Sequence, residues 1–169
     1  MSNGSYLEPS GPVFTAPFSA TALTTNTQDL WCITAGSSTR VVIREIRLGQ
    51  YSEFGDAQSE LLSLQILTGS TAASGGTSIT PRNVASHTGA PSATSTVVGP
   101  STTLASTSSA VERFADVWNV AAGFLLSPLP AERLVLNPSQ RMVLRMNAPN
   151  DAMTINGTVT FQEIGKGTI

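Results

Sequence analysis

Hydrophobic positions recur every second residue over much of this chain, and the alternation is sharpest from Gln140 to Ile164. Met142, Leu144 and Met146 alternate there with Arg141, Val143 and Arg145. Beyond Asn147–Asp151, Met153, Ile155, Val159 and Phe161 alternate with Thr154, Asn156, Thr158, Thr160 and Gln162. A period of two sends successive side chains to opposite faces of a sheet. The Pro/Asn/Asp cluster at 147–151 has the length that joins neighbouring antiparallel strands, so the stretch predicts a hairpin. Its inner face is apolar and its outer face Thr-rich. Such a hairpin is not stable alone and must pack on a second sheet.

Similar patterns precede it. Phe14, Ala16, Phe18 and Ala20 share one face of a strand over residues 13–22, with Pro17 marking an edge or a bulge. Gln28–Thr34 (QDLWCIT) is a second strand, with Trp31 and Ile33 on one face. Residues 40–48 (RVVIREIRL) are strongly β-branched and predict a central strand. Its charges fall on both faces, which points to a subunit contact or an edge. Leu62, Leu64 and Ile66 define another strand.

Residues 69–110 differ in kind: Ser, Thr, Gly, Ala and Pro dominate, Arg82 is the one full charge, and the single histidine is His87. Loops beyond about 15 residues are usually functional or disordered. The composition fits a flexible linker. The alternative favoured here is an extended arm lying along a partner, mobile in the isolated protein, with short β-prone pieces at 77–80 and 93–98. Strands return with Phe114, Trp118, Val120, Ala122, Phe124 and Leu126 on one face of a single long strand. Gly123 and the β-rich surroundings disfavour the helix that the same residues could form. Residues 134–136 give a short strand closed at Asn137-Pro138-Ser139.

About eight strands in this order predict an all-β fold, an antiparallel β-sandwich of jelly-roll type. The organisation is an N-terminal arm at 1–12, one sandwich domain at 13–165 with the extended Ser/Thr/Gly-rich loop 69–110, and a tail at 166–169. Trp118, Phe124, Ile155, Val159 and Phe161 are expected in one core.

Composition sharpens this picture. Charged residues are 12% of the chain, about half the usual share, and Lys166 is the only lysine. Serine and threonine supply roughly a quarter of it, giving a neutral, hydroxyl-rich surface suited to docking on protein. A net charge of −2 with no basic cluster argues against nucleic acid as partner. No apolar run reaches transmembrane length, and the first residues lack the basic start and apolar stretch of a secretory signal. The expectation is a protein made and assembled in a cytoplasm.

Candidate chemistry is sparse. One histidine and one cysteine do not assemble a nucleophilic triad or a transition-metal site, and Cys32 in its apolar run reads as a core residue. Glu53, Asp56 and Glu60 could hold a hard cation but lack the spacing of a calcium loop, so a solvated loop is favoured. Trp31 and Trp118 could line a sugar-binding face, yet each sits in an apolar strand pattern that favours the core. No enzyme, cofactor or metal is expected.

Two stretches resemble small virion structural proteins of tailed bacteriophages. One carries Glu45, Gly55, Asp56, Ala57, Glu60, Leu61, Leu62, Leu64 and Ile66 ahead of a Gly-rich loop. The other carries Pro128, Pro130, Glu132, Arg133 and Gln140 ahead of the last hairpin. The resemblance spans most of residues 40–165, while the arms at 1–12 and 86–110 are longer than in that group. It implies a capsid decoration or cement protein on the virion surface, non-enzymatic, bridging neighbouring major capsid protein subunits as a homotrimer. A head fibre, tail or connector component is the alternative in the same class, and a carbohydrate-binding sandwich the alternative outside it. Candidate partner-binding residues are Tyr6 and Leu7 in the arm, Arg82 and His87 in the loop, and Arg44 and Arg47 on the central strand.

Overall fold

The computed structural model describes residues 11–51, 61–85, 87–150 and 152–165. Two antiparallel sheets face each other across one core, with no α-helix among the described residues. The first sheet holds β1 (Val13–Leu23), β3 (Thr39–Gln50), β6 (Arg82–Asn83), β9 (Phe124–Leu126), β10 (Val135–Leu136) and β12 (Met153–Gly165). Its order is β10-β3-β12-β1-β6, and β9 also pairs with β3. The second holds β2 (Gln28–Thr34), β4 (Leu61–Thr68), β5 (Ser78–Ile79), β7 (Thr96–Val98), β8 (Val111–Asn119) and β11 (Arg141–Met146), in the order β5-β7-β2-β11-β4-β8. The four long strands before residue 69 alternate between the two sheets, and so do the last two. That winding makes the sandwich a jelly roll.

The same alternation corrects the expected C-terminal hairpin. β11 lies between β2 and β4, while β12 lies between β3 and β1 in the opposite sheet. The two strands lie in opposite sheets instead of pairing, so the connection between them passes from one layer to the other. Asn147 fixes the departure: its N–H donates to Ser63 O, and its Oδ1 accepts from Ser63 N. Met142, Leu144, Met146, Met153, Ile155, Val159 and Phe161 are all buried. The inward face was therefore right and the neighbour wrong.

The long strand expected over 114–126 is likewise two strands in different sheets. β8 pairs with β4 and β9 with β3. Asn119 makes the break, since its carbonyl accepts from Ala122 N at 3.0 Å and its Oδ1 from Ala121 N at 3.0 Å. Trp118 Nε1 donates to Ala122 O at 2.7 Å, so the buried indole also holds the turn. An Asx-type bond of this kind competes well with strand continuation.

β3 is interior to its sheet rather than at an edge, with β12 on one side and β9 and β10 on the other. Ile43 pairs with Phe161 and Glu45 with Thr160, leaving Arg44 as an extra, bulged residue. A bulge resets the two-residue alternation. Val41 and Ile43 point inward before it, Ile46 and Leu48 after it, and the four charged residues of β3 stay out of the core. Pro17 lies at an edge, as expected: among the described residues β1 has no strand partner on its outer side beyond Thr15, while the register shift against β12 comes later, between Phe18 and Thr21.

The core joins both tryptophans to Phe14, Phe18 and Phe161, with Phe124 packed at its margin. Phe18 and Trp31 stack at a centroid distance of 4.7 Å. Gly157 makes room for them, since a Cβ there would lie 2.6 Å from ring atoms of each.

Residues 69–110 are folded back on the domain. β7 extends the second sheet beyond β2, and β6 pairs with β1 in the first. Ala73 and Ala105 cover Cys32 and Val143, making a small second apolar layer on the outside of the second sheet. Two buried carboxylates anchor the segment. Glu163 accepts from Thr94 N at 3.0 Å, Thr94 Oγ1 at 3.1 Å and Ser95 N at 2.7 Å. Asp29 accepts from Ala105 N at 2.7 Å and pairs with Arg145 Nε at 2.7 Å. Where an extended arm away from the domain was expected, the described part of the segment lies on its own sandwich. Burial pushes the Cys32 thiol up, against smaller opposing contributions from a hydrogen bond to the Ala73 backbone and the charge of Arg141. A raised, buried thiol is a poor nucleophile. Alkylation of the native protein by iodoacetamide at neutral pH should therefore be slow, and unfolding in urea should make it fast, as mass spectrometry would record.

Candidate protein-docking surfaces

Among the described residues, the loop lies over the outside of the second sheet at Cys32 and Val143. On the first sheet, Thr154, Asn156, Thr158 and Thr160 of β12 are half-buried, and beside them run the outward residues of β3. Arg40, Arg44 and Arg47 lie there with Glu45 as the one acidic residue on the strand, so the strand is basic in a chain of net charge −2. Arg47 is exposed and pairs with Glu45 at 2.6 Å. Arg44 donates to Gln162 Oε1 at 3.0 Å. Of the sequence-predicted residues, the structure thus brings Arg44 and Arg47 together on the hydroxyl-rich outer face of the first sheet.

The others lie apart. Arg82 is exposed on β6, beyond β1 at the far side of the same sheet. His87 is exposed in a turn that closes with Ala90 N donating to its carbonyl at 3.1 Å. Tyr6 and Leu7, like the cation candidates Glu53, Asp56 and Glu60, fall outside the described residues. Among the described residues no group of three or more His, Cys, Asp or Glu is placed to hold a metal ion. Among the described residues no helix is long and apolar enough to cross a membrane. Trp31 and Trp118 are both buried, so neither can serve as a sugar-stacking platform.

A second surface escaped the sequence reading. The flanks of the sandwich differ. On one, the chain crosses between sheets from β5 to β6 and closes the gap. On the other, the second sheet ends in β8, nine residues long with only Trp118 buried. Among the described residues β8 pairs on one side only, with β4. Between β8 and the β9–β10 edge lies a cleft of about 660 Å³. Ile43, Ile66, Phe114, Leu126 and Leu134 supply its apolar lining, and Arg113, Glu132 and Arg133 its charged one. Exposed Leu61, Val111, Val117, Leu125, Leu129 and Val135 are carried by the strands and connections of this flank. The edge is guarded in two ways known to discourage indiscriminate strand pairing. Arg113 is a bulge, since Ile66 pairs with Phe114 and Leu67 with Glu112. Asp116 sits opposite inward-facing Leu64, so its charge is directed to the core side of the edge.

No protein-family model matches the chain, and no curated protein does. Among solved structures, the Gx strain of infectious bursal disease virus is similar over 96% of this chain and 32% of that one, at 12% identity and a TM-score of 0.23. A mutant VP2 protein of the same virus, from derived T=1 particles, is similar over 99% of this chain and 45% of that one, at 13% identity and a TM-score of 0.16. The chain thus spans less than half the length of either.

Proposed function

We propose that this chain is a non-enzymatic structural protein of a virion, docking on the outside of the shell and bridging neighbouring major capsid subunits as decoration or cement. Its place is then the virion surface, reached by assembly in the host cytoplasm. The resemblance of residues 40–165 to tailed-phage virion proteins supports the class. The observation that carries the docking mode is the unequal covering of the two outer faces. Among the described residues, one is covered over β2 and β11 by the chain's own loop. The other is a broad sheet of hydroxyls and arginines, suited to an acidic protein surface. A head fibre, tail or connector role would use the same face on a different neighbour. The sugar-binding reading loses its platform, because both tryptophans are in the core.

The test is decoration of shells that lack the protein, measured as occupancy per shell by electron microscopy. The Arg44→Glu/Arg47→Glu variant should bind at least about tenfold more weakly, a loss near 1.4 kcal/mol. Wild-type binding should weaken as salt shortens the screening length to about 3 Å at 1 M, and the variant should lose that dependence. A correctly folded variant that decorates at wild-type affinity would sink the arginine-face mode. Absence of wild-type binding to any shell would sink the function itself.

A further inference from the structure

We infer that two copies of this chain associate across β8 about a two-fold axis, Arg113 of each copy meeting Asp116 of the other. Three observations carry it. First, Arg113 and Asp116 are both exposed on the unpaired edge strand, and neither has an ion-pair partner among the described residues. Arg113 Nε donates to Thr68 Oγ1 at 3.1 Å, and Asp116 Oδ1 accepts only from Val117 N at 2.7 Å. Glu112, by contrast, is engaged by Gln65 Nε2 at 2.7 Å. Second, the two charges are opposite and stand on either side of Phe114 and Ala115. Antiparallel apposition about that midpoint satisfies both at once, which is the self-complementarity that a two-fold contact requires. A partner carrying one sign of charge would satisfy only one of them. Third, the cleft of about 660 Å³ beside this edge is lined by Ile43, Ile66, Phe114, Leu126 and Leu134, apolar surface that a second copy would cover. A standard interface buries about 800 Å² per partner.

The bulge at Arg113 interrupts the regular ladder, so the contact is between side chains and not a continuous sheet. Phe114 and the cleft mouth lie at its centre, where exclusion of water strengthens the flanking ion pairs. The inference stands whether or not the outer face of the first sheet meets a shell.

Sedimentation equilibrium and native mass spectrometry of the purified full chain at micromolar concentration provide the test. The wild type should be dimeric. Arg113→Asp and Asp116→Arg should each raise the dissociation constant at least about tenfold by setting like charges together. The double variant Arg113→Asp/Asp116→Arg should restore the dimer. Both positions are exposed, so the single variants should keep the wild-type circular dichroism spectrum, and Arg113→Gln with Asp116→Asn gives a milder pair if they do not. A monomeric wild type, a dimer insensitive to both reversals, or a swap that fails to rescue would each overturn the two-fold contact. So would a trimer, because a two-fold axis does not generate one.

Discussion

Replacement of residues 70–109 by a short Gly/Ser linker is expected to yield a chain that does not fold. The segment is poor in large apolar side chains, which would ordinarily leave it unable to offset the roughly 1–2 kcal/mol per residue that backbone ordering costs. It is ordered by other means. Its excision would remove β7 from the side of β2 and expose Val143 and Cys32, which are 0% and 3% exposed beneath Ala73 and Ala105. It would also take the Thr94, Ser95 and Ala105 amides from Glu163 and Asp29. Each buried acceptor stripped of its donor costs about 1–3 kcal/mol, and more when charged. Against a total of about 5–15 kcal/mol for a domain, these losses together approach the whole stability. Circular dichroism and urea unfolding decide the matter. A trimmed protein with a cooperative transition at the wild-type midpoint would show that the segment is a passenger.

The sandwich was readable because its signal is local. Two-residue alternation puts Phe14, Ile33, Leu64, Val159 and Phe161 inside whatever strand lies beside each. Partner identity is not local, and there the reading failed. β11 and β12 carry the pattern of a hairpin, yet an arch between layers has the same inward positions and a connection of similar length. The break in the 114–126 run depended on Asn119, whose turn-forming side chain was present in the sequence and was passed over. The bulge at Arg44 was visible as charges on both faces of one strand. A shift of alternation explains that as well as an edge does.

The loop was misjudged for a related reason. Its buried residues are small or polar, among them Ser70, Ala73, Ser95, Ser101 and Ala105, and give no hydrophobic signal. The signal lay in the strands it docks on. An aspartate in QDLWCIT and a glutamate in TFQEIG are charges at positions that the pattern makes internal, and buried carboxylates require donors. Arg44 and Arg47 were singled out from composition, and the structure places them on one face. The open edge at β8 depends on which strand ends a sheet, so topology alone reveals it.

Arg145→Met should be the most costly single substitution outside the apolar core, about 3–5 kcal/mol, because it removes one partner of a buried ion pair. Asp29 is fully buried and Arg145 nearly so, with side-chain exposures of 0% and 13%. The guanidinium reaches both carboxylate oxygens, Nε to Oδ1 at 2.7 Å and the NH2 group to Oδ2 at 3.2 Å, and the same NH2 group donates to Ala105 O at 2.8 Å. One planar fork thus joins β11, β2 and the covering loop. Methionine keeps the packing of the stem and leaves Asp29 with the Ala105 amide alone as a charge-assisted donor. Lysine keeps the charge but has no fork to hold the carboxylate and the carbonyl together, so Arg145→Lys should recover only part of the loss. Urea titration should show the midpoint falling in the order wild type, lysine, methionine, with the slope unchanged if the native fold persists. Proteolysis should then cut first within residues 101–106, the stretch this pair holds down. A methionine variant within about 1 kcal/mol of wild type would mean that water reaches Asp29, and that the loop is held by its backbone pairing instead.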